Sequence, residues 1–497
     1  MIGIDHNSSE TSQKPPLLRS SQGHSFAKWG PKFFNILLWA LFGANVIYLI
    51  LNLTELPQHN NGLLRFDGFT LLIWLTVTFF SAIISSYAKN YLTGFKYQKD
   101  FYGFSFGFTI SVMLMVAAEH VLLLIASWFL MGLFMSRLIR VDRKWEEARQ
   151  AGNFALRFFT AGSLCLGIGL TVLAYCTGSF SLSQIFQNLE SLSDPLLLIV
   201  ALFIITAAVI QSAIYPFHRW LLSAMTAPTP ASALMHAGFV NGAGILLTLF
   251  ATLIVATDTF SILFIIGGLT AIIAQFTKLL QANVKQKLAC STIAQMGFMI
   301  MQCGLGFFNA AVAHLILHGF YKAYLFLSAG EEIKFAKPSV HSKLKIKPLQ
   351  ALIVLIFSIS GAGLFSILTG KGTSVDSGIF LTLIVAITVG QATYNIVKEQ
   401  SLPRVKRLLV SAALFMVGIG LYALAYNGVT FMMGGLPYAI HPLPLTPLQV
   451  IFGFVFLLGF FLMKLGTYKK LPWLYVKLLN ASQPAKKSVL FYKTKSL

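Results

Sequence analysis

Apolar stretches long enough to cross a bilayer recur from one end of this chain to the other, each closed by a short polar or basic segment. The clearest run from Phe33 to Leu53, Phe69 to Tyr87, Val121 to Leu138, Leu196 to Ile214, Leu234 to Val255, Ile262 to Phe276, Leu349 to Leu368, Leu408 to Ala425 and Leu448 to Met463. A helix rises about 1.5 Å per residue, so roughly 18 to 24 apolar residues cover the hydrocarbon layer. With the shorter runs between them, the pattern predicts an all-α polytopic membrane protein of about 14 transmembrane helices. A mean hydropathy of +0.74 agrees. Only 11% of residues are charged, too few to cover a soluble protein of this length.

The connections alternate in charge. Lys89 to Lys99, Arg137 to Arg149, Lys278 to Lys287, Lys334 to Lys347, Lys398 to Arg407 and the tail from Lys464 are basic. Between them, Glu55 to Asp67 carries only Arg65, and Cys176 to Asp194, Ala256 to Thr259 and Gly428 to Pro447 carry neither Lys nor Arg. Lys and Arg collect on the cytoplasmic side, so both termini are expected there. The alternation holds only if Leu196 to Met225 is one crossing despite Pro216, His218 and Arg219, which makes it a broken helix. The net charge of +21 follows from this topology and favours anionic lipid, not nucleic acid. Residues 1–31 lack the apolar core and cleavage site of a signal peptide and read as a polar cytoplasmic extension. A transmembrane domain over 32–466 and a basic cytoplasmic tail over 467–497 complete the organisation.

Candidate chemistry stands out against this background. His314, His318 and Lys322 are spaced four apart inside an apolar segment, which aligns them on one helix face. A charged group at a bilayer centre costs roughly 2.5 to 3.5 kcal/mol even on lenient scales, so an aligned set points to a path for protons or sodium. Two apolar segments are also interrupted. Gln211 to Met225 contains Pro216 and His218, and Ser358 to Asp376 contains Gly361, Gly363, Gly370 and Gly372 around Lys371. Such interruptions in corresponding places mark inverted-repeat transporters. Cys165, Cys176, Cys290 and Cys303 are scattered singly, without the spacing of a zinc or redox centre, and no phosphate-binding or dinucleotide fingerprint is present. No metal or cofactor is therefore expected in this chain.

Phe217 to Leu247 (FHRWLLSAMTAPTPASALMHAGFVNGAGILL), Asn283 to Met299 (NVKQKLACSTIAQMGFM) and Ala313 to Leu327 (AHLILHGFYKAYLFL) resemble the signature stretches of the antiporter-like subunits of respiratory complex I and Mrp antiporters. The resemblance runs from about Phe66 to Thr373 and implies two inverted five-helix repeats, about 101–254 and 259–400, each with a broken helix. It makes Lys285 the second half's proton-accepting lysine, His314, His318 and Lys322 the connecting relay, Lys371 the lysine of the second broken helix, and His236 a channel-lining histidine of the first half. Two departures stand out. Phe129 follows Trp128 where the family has Glu, and Gln211 occupies the place of the first broken helix's lysine. These departures, and the Phe-His-Arg-Trp run, make the chain more similar to the DabB family of inorganic carbon transporter subunits. That resemblance implies a hetero-complex with a large cytoplasmic zinc protein, DabA, which resembles a β-carbonic anhydrase. An inward cation flux then energises conversion of carbon dioxide to bicarbonate in the partner, and the chain itself is a transporter subunit with no catalytic residues. The alternative is a proton-translocating subunit of a complex I-like oxidoreductase or an Mrp-type antiporter.

Each residue also has a plainer reading. The α-helical stripe can be hydrogen-bonding glue between helices, Lys285 and Lys371 can reach the headgroups, and His236 can be a packing histidine. His218 can be a positive-inside residue at a helix break. Glu119 and His120 read either as a channel mouth or as a solvated pair, and Asp67 as a helix cap. The mixed-charge run Arg137 to Arg149 reads as a solvated loop or a docking surface.

Overall fold

Capping residues set where several of the helices begin. The computed structural model describes residues 26–329, 348–398, 403–465 and 467–485. In it α1 runs Phe26–Leu51, and a small hairpin (β1, His59–Asn60; β2, Arg65–Phe66) leads into α2, Gly68–Tyr91. Asp67 caps α2 as expected: its carboxylate accepts from Thr70 N at 2.8 Å and Thr70 Oγ1 at 2.9 Å. Next come α3 (Gln98–Ala117), α4 (Val121–Ile139), α5 (Glu146–Thr177) and the short α6 (Leu182–Gln187). His120 Nδ1 caps α4 by accepting from Leu122 N at 3.2 Å. Gly178 ends α5 at φ +66°, a conformation that favours glycine.

The remaining helices are α7 (Asp194–Gln211), α8 (Arg219–Ser223), α9 (Thr229–Ala237), α10 (Gly242–Leu249), α11 (Ala251–Ala256), α12 (Phe260–Leu279), α13 (Val284–Gly304) and α14 (Phe308–Ala329), then α15 (Pro348–Thr369), α16 (Gly378–Lys398), α17 (Arg404–Met432), α18 (Pro447–Leu465) and α19 (Pro472–Ala481). The protein is an all-α multi-pass membrane protein. Among the described residues, 11 helices are long and apolar enough to cross a membrane, fewer than the expected count of about 14. Helix α13 is not among them although it has 21 residues, because Lys285, Gln286 and Lys287 open it and Ser, Thr and Gln follow. Most of its remaining length is buried among other helices, where hydropathy is a poor guide. Residues 1–25, 330–347, 399–402, 466 and 486–497 lie outside the described residues, and with them the basic connection Lys334 to Lys347, part of the connection Lys398 to Arg407, most of the N-terminal extension and part of the tail. Helix α1 already includes Phe26 to Pro31.

The connections sort to two ends. Backbone bridges join Leu64 to Ala118, His120 to Ser181, Phe307 to Ile440 and Asp376 to Pro444, gathering the charge-poor connections together. At the basic end Gln281 Nε2 donates to Ser482 O at 3.3 Å, and Tyr91 OH to Thr229 Oγ1 at 3.2 Å.

The first expected break is present. Helix α7 stops at Gln211, the chain turns through Ser212 to His218 with Ala213 at φ +54°, and helix resumes at Arg219. The second expected interruption has a different form. Helix α15 is continuous through Gly361 and Gly363 to Thr369, and only Gly370 and Gly372, at φ +67° and +71°, turn the chain beyond it. Gly361 serves packing, since a Cβ there would come 2.9 Å from Val389 on α16. The same small-residue logic seats α12 on α13. A Cβ on Gly297 would lie 2.7 Å from both Ala271 N and Gly267 O.

Candidate cation path

Helix α14 carries the stripe and presents it to α13 and α9. Its three members follow the helical repeat, so each stands one turn above the next. His318 and Lys322 are buried, and His314 is half-buried. The His314 and His318 rings stack with centroids 6.0 Å apart, and His314 meets Phe298 of α13 edge-on at 5.2 Å. Lys322 Nζ donates to the Leu288 carbonyl of α13 at 3.0 Å.

Successive turns of α13 supply the other side. Asn283 caps this helix by accepting from Lys285 N at 2.9 Å, which fixes the first turn so that Lys285 Nζ reaches the Ala227 carbonyl at 2.9 Å. Two turns on, Thr292 Oγ1 lies 3.0 Å from Nδ1 of His236, whose fully buried ring stacks on Phe326 of α14 at 4.3 Å. Lys285, His236, Lys322, His318 and His314 are thus gathered in the wedge between α9, α13 and α14. Neither ring nitrogen of His318 is hydrogen-bonded to a protein group, nor are His236 Nε2 and His314 Nε2. Buried polar groups normally find partners. Imidazoles with free nitrogens and ammonium groups held by single carbonyls retain the capacity to take and pass a proton.

Lys371 lies apart, in the connection beyond α15. It is 9% exposed and packs over the Phe307 ring at 4.1 Å and the Tyr426 ring at 5.8 Å. Burial draws its ammonium down to about 8, while nearby Asp376 pulls the other way. Between it and His314 stands a set that sequence reading missed. Asn309 Nδ2 donates to Tyr426 OH at 2.8 Å and Thr430 Oγ1 at 2.7 Å. Buried Gln302 sits beside Tyr422. The signal was available, since Tyr422, Tyr426 and Thr430 repeat the four-residue spacing of the α14 stripe. Thr292 gave no such signal, because one Thr among small residues is unremarked in any membrane helix.

Of the first-half positions His236 joins this row, packed against α13 and α14, and the others do not. Gln211 is buried against Gly242 near Trp128, and its Nε2 has no protein partner. Phe129, where the family carboxylate would stand, is 37% exposed on the outside of the bundle. Pro216 lies in the turn between α7 and α8. His218 stacks on Tyr215 at 3.7 Å and its Nε2 lies 2.7 Å from the Ala481 carbonyl at the end of α19, which makes it a clasp at the basic end. Glu119 is neither mouth nor solvated. It is fully buried and accepts from Ser181 Oγ at 2.6 Å and Ser183 N at 2.8 Å. Burial pushes its carboxyl upward, but these hydrogen bonds and Arg65, 4.0 Å away, outweigh that and hold it below the ordinary carboxylate range. In the run Arg137 to Arg149, Arg149 pairs with Glu146 and Arg143 reaches Asp100 at 3.5 Å. Among the described residues no group of three or more His, Cys, Asp or Glu side chains is placed to hold a metal ion.

The NADH:quinone oxidoreductase/Mrp antiporter transmembrane family matches residues 118–371, just over half of the chain. A probable inorganic carbon transporter subunit DabB of Hydrogenovibrio crunogenus is 38% identical over 227 residues, 45% of this chain and 44% of the relative. The protein of that name from Bacillus subtilis is 32% identical over 326 residues, 65% of this chain and 64% of the relative. The chain thus spans less than two thirds of these relatives' length. The structure of the Mrp complex from Dietzia sp. DQ12-45-1b shares the fold, with a TM-score of 0.62 at 22% identity over 87% of this chain and 53% of that one. The chain belongs to the NADH:quinone oxidoreductase/Mrp antiporter family of transmembrane subunits.

Proposed function

We propose that this chain is the cation-conducting subunit of a membrane complex for inorganic carbon uptake, passing protons or sodium inward through the row on α9, α13 and α14. The flux energises a large cytoplasmic zinc protein resembling a carbonic anhydrase, which turns carbon dioxide into bicarbonate that accumulates inside the cell. The complex sits in the cytoplasmic membrane, with the basic end and both termini facing the cytoplasm. The observation that carries this reading is the set of His236, His314, His318, Lys285 and Lys322 on three adjoining helices, in which four imidazole nitrogens have no protein partner and each ammonium is held by a backbone carbonyl. The names of the carbon-transporter relatives, each called a subunit, support carbon uptake by an assembly of more than one chain.

A second reading, a proton-translocating subunit of a complex I-like or Mrp-type assembly, is favoured by the fold shared with the Mrp complex. Against it, Gln211 has no charged partner and Phe129 looks outward, so the first half lacks the Glu/Lys pair expected of those subunits. Purification of the tagged chain from its own membrane in mild detergent, with mass spectrometry and zinc analysis, separates the two. One large zinc protein supports carbon uptake. A ladder of small hydrophobic subunits supports the alternative.

A further inference from the structure

The row leaves a gap between His314 and Lys371, and α17 fills it. This helix packs against α14 and α15. On its inner face Tyr422, Tyr426 and Thr430 stand one turn apart, the two tyrosine rings stacked with centroids 6.4 Å apart. At one end Tyr422 lies beside Gln302, which is one turn beyond Phe298, the residue that touches His314. At the other, Tyr426 shares Asn309 with Thr430 and underlies the Lys371 ammonium. Gln302 is 1% exposed and its Oε1 has no protein partner, so an acceptor is left open at the junction of the two segments.

We infer that the hydroxyls of Tyr422 and Tyr426, with Gln302 and Asn309, form the segment of the path between Lys371 and His314, and that this segment passes protons and excludes sodium. The inference rests on the cation-path reading proposed above. A tyrosine hydroxyl accepts a proton at its oxygen as it gives its own to the next acceptor, so one proton moves and rotation of the O–H restores the start. Sodium instead needs several oxygens directed at one point. Around Asn309 the oxygens are engaged, since its Nδ2 donates to Tyr426 and Thr430 and its Oδ1 accepts from Ala310 N at 2.8 Å, which leaves the single open acceptor at Gln302 Oε1. Apart from Asp376 beside Lys371, no carboxylate among the described residues offsets the charge along this segment. All 16 Asp and Glu residues of the chain lie outside the apolar cores of the spans, and lysines stand at both ends of the row. A sodium ion that passed Asp376 would meet ammonium groups and no further counter-charge.

The complex containing the full chain is reconstituted in liposomes with a trapped pH dye, and a potential is imposed with potassium and valinomycin in sodium-free buffer. We expect proton flux in the wild type, a loss of at least tenfold in Tyr422→Phe/Tyr426→Phe, a partial loss in Tyr426→Phe, and cooperative thermal unfolding of both variants only slightly below wild type, because Asn309 Nδ2 keeps Thr430 as an acceptor. A wild-type rate from the double variant, with His318→Ala inactive, overturns the tyrosine segment and leaves the histidine path standing. Equal flux in wild type and His318→Ala overturns the path itself. Flux that appears only with sodium, matched by radioactive sodium uptake, overturns proton selectivity. If the double variant does not insert, Tyr426→Phe decides alone, because it removes one oxygen and keeps the ring stack: an unchanged rate overturns the segment.

Discussion

Replacing Lys322 with Met separates transport from structure. Two terms of opposite sign decide its stability. Holding a charge in the bilayer interior costs roughly 2.5 to 3.5 kcal/mol, and Met removes that cost. The bond from Nζ to Leu288 O, 3.0 Å long, is charge-assisted and contributes about 1.5 to 3 kcal/mol. Its loss does not orphan the carbonyl, because Thr292 Oγ1 donates to the same oxygen at 3.1 Å. Met also fills most of the volume of the lysine stem, so no large cavity opens. The net change is therefore within about 1 to 2 kcal/mol of zero. Thermal unfolding of the detergent-solubilised complex, read by intrinsic fluorescence, should shift little, while cation flux in liposomes falls to background. A loss above about 3 kcal/mol with normal flux in the folded fraction would refute this reasoning and return Lys322 to the role of helix glue.

Three further outcomes follow from the geometry. Gly297→Ala should destabilise the bundle by about 1 to 3 kcal/mol, since the new Cβ meets backbone atoms of α12 that cannot rotate away; an unchanged unfolding temperature would contradict the close α12–α13 seat. Glu119→Gln should cost roughly 2 to 4 kcal/mol by weakening two charge-assisted hydrogen bonds that tie the charge-poor connections together. Because the folded carboxyl is held low, the stability it contributes is complete above the ordinary carboxylate range and is lost as pH falls through the depressed value, so the difference between variant and wild type should shrink in acid. Lys371 is charged below about pH 8 and neutral above it, so flux drawn from the charge-poor side should fall as that compartment is raised through pH 8. In Lys371→Arg, which stays charged, the same titration should show no midpoint there.

Most of the spans and the α14 stripe were legible because they depend on local periodicity, which one sequence displays in full. Lys285 and His236 could be named from family likeness, but their partners could not. The Ala227 and Leu288 carbonyls that hold the two lysines are backbone atoms with no signature, and they become acceptors only because α13 crosses α9 and α14 at that height. The second break was misjudged for a related reason. Glycines at Gly361 and Gly363 look like a kink, yet the helix continues through them, and Gly361 is needed for contact with Val389. Glu119 read as a channel mouth or a solvated charge because its three partners come from segments about 50 to 60 residues away on either side. Tyr422 and Tyr426 were hidden by being unremarkable in an apolar run, and only the packing of α17 on α14 and α15 gives them a place beside Lys371.

The measurement that bears most directly on the central claim is growth in air of a carbonic-anhydrase-deficient strain carrying this chain with its zinc partner. Wild type, His318→Ala and Lys322→Met would be compared at matched abundance in the membrane. The account predicts rescue by the wild type and none by either variant, although both still hold the partner. Rescue by both variants to the wild-type level would contradict it, because carbon uptake would then proceed without the row on α14.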